Sequence, residues 1–91
     1  MAKTRSVGFH RRLDGQGNLM AINPGIDVAT ALDSAYAQLD IAEELAAQLS
    51  EPGVKNAERL GHACAGLIEM AKATVYACLE GLQDEKEAAH G

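Results

Sequence analysis

Aromatic side chains are almost absent from this 91-residue chain, which has no Trp, one Phe and two Tyr. Alanine supplies much of the apolar fraction of 47%, and an alanine side chain buries little area. Burial stabilises by roughly 25 cal/mol per Å², and chains of this size bury only about 60–65% of the surface that they expose when unfolded. We therefore expect a single domain that needs a partner to complete its core, most simply a second copy of itself.

Cationic side chains are missing from residues 27–51, which carry a net charge of −6. Residues 1–18 carry +3, and the whole chain carries −5. The acidic stretch argues against a polyanion lying along it. The basic N-terminus leaves one alternative open, a nucleic-acid-associated regulator that uses this arm for phosphate contacts and one stacking ring. The residues of that arm are Lys3, Arg5, Phe9, His10, Arg11 and Arg12.

Long apolar runs are also missing, and no segment has the length of a transmembrane helix or the pattern of a signal peptide. Cys64 and Cys78 are fourteen residues apart on one predicted helix, about 21 Å, so they cannot bridge within one chain. A disulfide between two chains stays an alternative. We expect a cytoplasmic protein that does not contact a membrane.

Catalytic and ligand-binding motifs do not rise above background. His62 and Cys64 are two apart on a helix and point in different directions, so they cannot share a metal. Gly15 and Gly17 lack the Lys and the strand–turn–helix context of a phosphate loop. We expect no catalytic, metal-binding or cofactor-binding residue, no small-molecule substrate, and therefore no enzyme.

Two stretches share an apolar spacing that alternates between four and three residues. Ser50-Glu51-Pro52-Gly53 separates them. The spacing predicts helices over about 28–49 and 55–83, and the short connection makes them antiparallel neighbours whose small-residue seams pack closely. The first seam is Val28, Leu32, Ala35, Leu39, Ala42, Ala46 and Leu49, and the second is Ala57, Gly61, Cys64, Ile68, Ala71, Val75, Cys78 and Leu82.

The N-terminal segment has a different pattern. Residues 7–13 alternate weakly, turn-forming residues occupy 14–18, and a short apolar run follows at 19–22. This order predicts one strand or a short β-hairpin. Asp27 follows the turn at Asn23-Pro24-Gly25 and is expected to cap the first helix with its side chain. The expected organisation is a basic flexible arm or hairpin at 1–18, a helical hairpin domain at 19–83, and a frayed tail at 84–91.

Three glycines fall inside the second predicted helix, and two of them, Gly66 and Gly81, carry a structural expectation beyond their place in the apolar pattern. Gly66 in mid-helix costs about 1 kcal/mol relative to Ala, so we expect the close approach of another backbone there. Gly81 is expected to mark the fraying end of the helix.

The chain resembles a domain-of-unknown-function family of short proteobacterial proteins. The resemblance rests on Leu19 to Ile26 with its Pro-Gly entry, on the Ala/Leu helix that follows, and on Leu67-Ile68-Glu69-Met70-Ala71-Lys72-Ala73. It covers about residues 19–79 and implies a helical hairpin without an established activity.

Together these patterns predict an all-α core. An antiparallel two-helix hairpin, preceded by a short N-terminal strand or β-hairpin, dimerises into a four-helix bundle. The expected function is that of a small non-catalytic protein-interaction or regulatory module that acts as a homodimer through its helix faces. The expected dimer or partner interface comprises Ala57, Gly61, Cys64, Leu67, Ile68, Ala71, Val75, Cys78, Leu79 and Leu82.

Overall fold

The computed structural model describes residues 1–11 and 14–90. In chain order the elements are β1 (Val7–Arg11), β2 (Asn18–Ile22), α1 (Val28–Leu49) and α2 (Ala57–His90). The predicted helical hairpin is confirmed, and of the two alternatives for the N-terminus the β-hairpin is the one that forms. Both helices and β1 begin within two residues of where the apolar patterns place them.

The β-hairpin is antiparallel, with Val7 opposite Ile22 and Phe9 opposite Met20. Residues directly opposite each other share a face of the sheet, so one face of the hairpin carries all four of these apolar side chains. Phe9 is the only one of them that is buried, and β1 is the strand with the more extensive packing against α2. The hairpin is thereby anchored through its first strand.

The residues before β1 form an ordered strap on the helices. The Thr4 N–H donates to the Ile26 carbonyl at 2.7 Å, and the Thr4 hydroxyl donates to the Asn23 carbonyl at 2.8 Å. The Arg5 N–H donates to the Ala77 carbonyl of α2 at 3.1 Å. We call residues 2–5 the N-terminal strap, because it joins the start of α1 to the C-terminal half of α2.

The strap also takes over the capping of α1. Asp27 occupies the N-cap position, but its side chain makes no capping hydrogen bond. The expected side-chain cap is therefore wrong. The Ala2 carbonyl accepts from the Val28 N–H at 3.1 Å, and so satisfies one of the unpaired donors at the helix start.

Gly66 and Gly81 of α2 lie in different surroundings. Outside the backbone of α2 itself, no described atom lies within 4 Å of where a Cβ on Gly66 would stand, so no other segment of the same chain approaches it. A Cβ on Gly81 would overlap the Lys3 carbonyl. Gly81 is buried and lies inside the helix, so it does not mark a frayed end. The strap can lie flat on α2 because Gly81 has no side chain.

The interface between the helices consists of small residues. Ala31, Ala35 and Ala42 of α1 are buried, whereas Leu32 and Leu39 keep 42% and 44% of their surface exposed. The predicted seam of α1 is therefore split. Ala35 and Ala42 of that seam are buried at the contact with α2, and Leu32 and Leu39 lie to one side of it. Alanine permits a close approach of the helix axes, and at that separation the larger leucines fit only at the edge.

The molecule is long and thin. α2 has 34 residues against 22 in α1, and it continues to His90, past the predicted end near residue 83. A hydrogen bond from Gln83 Nε2 to Glu87 Oε1, one turn apart, supports the extension. The overall dimensions are 58 × 32 × 15 Å. One helix is about 10–12 Å across with its side chains. The smallest dimension of the molecule, 15 Å, is little more than that, so the two helices lie side by side in one layer over much of their length.

Candidate functional site: an open apolar face

Large apolar side chains project from one side of the helical hairpin. From α1 they follow an i, i+4, i+7 spacing, which places them on one face of the helix. We call this surface the open face. Its members are Leu32, Tyr36 and Leu39 of α1, and Ile68, Val75, Tyr76, Leu79 and Leu82 of α2; all are exposed except Val75, which is half-buried.

A groove of about 280 Å³ runs along the middle of the open face, where the two helices meet. Its walls are almost entirely apolar, and Lys72 is the one charged residue that lines it. The other residues of the lining are Leu39, Ala71, Val75, Tyr76 and Leu79. The helices therefore present a continuous apolar depression, with one ammonium group available at its edge.

The interior of the protein contrasts with this surface. Phe9 is the one large side chain among the buried apolar residues that the structure describes, and alanines and Cys78 make up the rest. The buried apolar residues are thus mostly small, whereas the leucines, the isoleucine and the tyrosines of the open face are exposed. Large exposed apolar patches are a recognised feature of interaction surfaces.

The β-hairpin does not cover the open face, because it packs on another side of the helices. Phe9 lies near Ala31, Ser34 and Met70, and Ser34 is about 160° around α1 from Leu32. The hairpin and the open face thus occupy roughly opposite sides of α1. The hairpin covers one side of the helix pair and leaves the open face uncovered.

The predicted interface divides between two environments. Ala71 and Cys78 are buried against α1 of the same chain. The Cys64 thiol donates to the Ala42 carbonyl at 3.4 Å, and the Cys78 thiol faces the Val28 carbonyl at 3.9 Å. Both thiols are free, and Cys78 in particular has its sulfur directed into its own chain.

The remaining predicted interface residues are distributed along α2. Ile68, Val75, Leu79 and Leu82 lie on the open face. Leu67 and Gly61 are half-buried, and Ala57 is exposed at the start of the helix. Four of the ten predicted residues are thus brought together on one accessible apolar surface.

The contribution of α1 to the open face is absent from the predicted interface. Leu32 and Leu39 belong to the predicted seam of α1, so the periodicity assigns them to the contact with α2. A signal was nevertheless present. Tyr36 follows Leu32 by one turn and adjoins Ala35, which widens the apolar arc of α1 beyond what one partner helix covers.

Most of the described residues of the predicted basic arm lie on the strap and on β1, in different surroundings. Arg5 pairs with Glu80 at 2.6 Å and lies 3.8 Å from Asp84. The Phe9 ring is 9% exposed. Lys3 is exposed on the strap, Arg11 ends β1, and Arg12 lies outside the described residues.

His10 also contacts a carboxylate, that of Glu69. Its backbone N–H donates to Glu69 Oε2 at 3.4 Å, and its Nδ1 lies 3.9 Å from Glu69 Oε1. Its φ of 59° is left-handed, which is uncommon for a residue other than glycine. The contact with Glu69 joins the far end of β1 to α2.

Two side chains of α2 have shifted pKa values. A hydrogen bond to Glu80, together with the negative charge of that carboxylate, raises the pKa of Tyr76. Burial raises the pKa of the Cys78 thiol. Both groups are therefore held in their neutral forms at pH 7. The tyrosine at the edge of the open face offers a hydroxyl and no charge.

The fold and the open face define a short helical-hairpin protein that carries an N-terminal β-hairpin. A family model described as "Protein of unknown function (DUF3077)" matches residues 4–80, and the chain belongs to this family. The resemblance to a domain-of-unknown-function family is thereby confirmed. The match begins fifteen residues before Leu19, so it includes the β-hairpin as well as the helices.

No significant match to a curated protein or to a solved structure is found. Within the described part of the chain, no helix combines the length and the apolar character needed to cross a bilayer.

Proposed function

We propose that this protein is a small non-catalytic interaction module that acts as a homodimer, in which the open faces of two copies pack against each other. The observation that carries the proposal is that the buried apolar residues are mostly alanines, whereas the large side chains of the open face are exposed. A second copy converts the exposed side of the helix pair into the core of a four-helix bundle.

A second copy fits the open face because the surface is suited to self-association. The face is predominantly apolar, and in a two-fold dimer the same patch is used on both subunits. From Ile68 to Leu82 it extends about 21 Å along α2. Its apolar character also matches the fully buried centre of homodimer interfaces, which is depleted in charged residues.

The acidic side of α1 is the proposed contact surface for a partner protein. Asp33, Asp40, Glu43 and Glu44 are exposed, and none of them makes an ion pair with a described residue. Their charges are unneutralised along one helix that has no Lys or Arg. We expect this surface to favour a partner with a basic patch, through electrostatic steering.

The test of the homodimer is sedimentation equilibrium on the purified chain and on two matched variants. Leu79→Asp places a charge on the open face, whereas Leu19→Asp places the same charge on β2, where Leu19 is 65% exposed. We expect the wild type and Leu19→Asp to be dimers at micromolar concentration and Leu79→Asp to be monomeric. Circular dichroism verifies that each variant remains helical. A wild type that is monomeric and folds cooperatively would overturn the proposal.

The contact with a basic partner is tested separately. The partner protein is first captured from the native host with the wild-type chain. Replacing Asp40 and Glu44 by Lys is then expected to weaken binding of this partner. The difference between the variant and the wild type should become smaller as salt is added. Leu19→Asp is the control for a surface change elsewhere. Binding that is insensitive both to the reversal and to salt would contradict a role for the acidic side of α1.

A further inference from the structure

Lys72 lies among the apolar side chains of the open face. It is one turn from Ile68 and one turn from Val75, on the side of α2 that belongs to this face. It lines the apolar groove, and it makes no ion pair with a described residue. Covering an ammonium group is costly unless a charge of opposite sign meets it. A second copy that packs on the open face therefore has to bring a carboxylate to Lys72.

The other helix, α1, carries carboxylates along the outer edge of the open face. Asp33 and Asp40 are exposed and seven residues apart, so they lie on one side of α1, with Tyr36 between them. Neither carboxylate makes an ion pair with a described residue. A depression of about 160 Å³ lies beside them and is lined by Tyr36, Leu39, Asp40 and Glu43. The same face thus has a cation on α2 and unneutralised anions on α1.

A two-fold axis can bring two open faces together in either of two directions. An axis across the helices stacks α1 on α1 and α2 on α2. An axis along the helices stacks α1 of each copy on α2 of the other. Because α1 has four acidic residues and no Lys or Arg, stacking it on itself brings like charges together, which opposes association. The charges therefore favour the axis along the helices.

An axis along the helices also fixes which residues meet. Rotation about it leaves the height of every residue along the helices unchanged, so α1 of the partner keeps the register that α1 and α2 have within one chain. In that register Cys64 lies beside Ala42, and Cys78 lies beside Val28. Each step forward along α1 is thus a step backward along α2, and the stacked helices are antiparallel.

This register places Lys72 between two carboxylates of the other copy. The partner's Asp33 is level with residue 73, and the partner's Asp40 is level with residue 66. Side chains of a helix tilt toward its N-terminus. In an antiparallel pair this tilt brings Lys72 and the partner's Asp40 toward each other. The cation and the two anions are then at matching heights on the outer edge of the stack.

We propose that the homodimer stacks α1 of each copy antiparallel on α2 of the other, and that Lys72 pairs with Asp33 and Asp40 of the partner subunit. This arrangement rests on the proposed homodimer and specifies its interface. Two-fold symmetry forms the contact twice. Because one ammonium group meets two carboxylates, α1 keeps a net negative charge for the basic partner protein.

The test exchanges these charges between two variant chains. One variant is Lys72→Glu, and the other combines Asp33→Lys with Asp40→Lys. Each variant alone opposes like charges in its own dimer, so we expect its dissociation constant to rise about tenfold or more. In an equimolar mixture each reversed group meets its counterpart, so heterodimers should form as tightly as the wild-type dimer. Native mass spectrometry identifies the heterodimer by its mass, and sedimentation equilibrium gives the dissociation constants.

Two single reversals are matched controls for the change of charge. Lys86→Glu alters an exposed residue on the part of α2 that extends past the start of α1. Glu44→Lys alters an exposed carboxylate one turn beyond Asp40, at a height about 15 Å from Lys72 of the other copy. Both should leave the dissociation constant at the wild-type value. Circular dichroism verifies that every variant remains helical.

The outcomes separate this arrangement from the homodimer itself. A dimeric wild type whose two charge variants associate no better when mixed than alone would overturn the arrangement and leave the homodimer in place. Tighter association of the Asp33→Lys and Asp40→Lys variant than of the wild type would overturn it too, since that result reports relief of repulsion between two α1 helices. A monomeric wild type would overturn both proposals.

Discussion

The packing of the N-terminal strap on Gly81 predicts opposite effects for the same substitution at two glycines of α2. Replacing Gly by Ala inside a helix gains about 0.8–1 kcal/mol from helix propensity. Gly66→Ala should realise this gain, because nothing lies within 4 Å of the new methyl group. Gly81→Ala places its methyl group on the Lys3 carbonyl, so the strap must move.

The size of the loss follows from the bonds that the strap makes. Four backbone hydrogen bonds hold it, donated by Thr4, Arg5, Gly25 and Val28. Each contributes about 0.5–1.5 kcal/mol net. Loss of two or three of them outweighs the gain in helix propensity. We therefore expect Gly81→Ala to lower the free energy of unfolding by about 1–2 kcal/mol, and the two variants to differ by about 2–3 kcal/mol.

The assay is urea unfolding of the wild type and both variants at one protein concentration, because association would make the midpoint depend on concentration. A shift of the midpoint at constant m-value reports stability directly. Hydrogen exchange at the Thr4 and Arg5 amides identifies the displaced segment, and it should accelerate in Gly81→Ala alone. Equal stabilisation by both substitutions, with unchanged exchange at these amides, would refute the packing of the strap.

Other consequences concern single side chains. Phe9→Leu, at the only buried aromatic among the described residues, should cost about 1–1.5 kcal/mol in urea unfolding, and no loss would contradict the anchoring of the hairpin. Because burial raises the pKa of Cys78, alkylation between pH 7 and 9 should modify Cys64 first, and equal rates would contradict the burial of Cys78. The Cys78 thiol loses its proton at a lower pH in the unfolded chain than in the folded chain. Its burial therefore contributes stability that is fully present below about pH 9 and is lost as the pH rises above that value. Cys78→Ala should reduce this loss of stability at high pH. Arg5→Ala should change stability by no more than about 1 kcal/mol, since the Arg5 side chain of this pair is 58% exposed.

The helical hairpin was predictable because its signals are local. The four–three spacing and the break at Pro52-Gly53 act within a few residues of the chain, and the structure forms helices over 28–49 and 57–90. The turn-forming residues at 14–17 likewise indicate the β-hairpin. The length of α2 was underestimated because the charged, alanine-containing segment after Leu82 has high helix propensity but no apolar seam to reveal it.

Contacts between segments distant in sequence could not be predicted from periodicity. Gly66 and Gly81 are equivalent as sequence signals, and only the path of residues 2–5 decides which of them is covered. The capping of α1 by the Ala2 carbonyl could not be predicted for the same reason, because any residue type can supply a backbone acceptor. Whether the alanines or the leucines of the α1 seam face α2 depends on how the helix is rotated about its own axis. The structure has the rotation that places small alanines at the contact.

The open face was predictable only in part. An apolar arc on α2 wider than one helix covers indicates a second partner, and Ile68, Val75, Leu79 and Leu82 follow from it. The residues that α1 contributes could not be predicted, because Leu32 and Leu39 of the open face also fit the periodicity of a buried seam.

The most direct test of the central claim is an isotope-filtered NOE experiment on a mixture of ¹³C-labelled and unlabelled chains. Two copies that pack through the open face should give contacts between the methyl groups of Leu39, Val75 and Leu79 in one chain and the same surface of the other. An absence of any interchain contact at these methyl groups, in a sample that is folded and at a concentration above that of the proposed association, would contradict it.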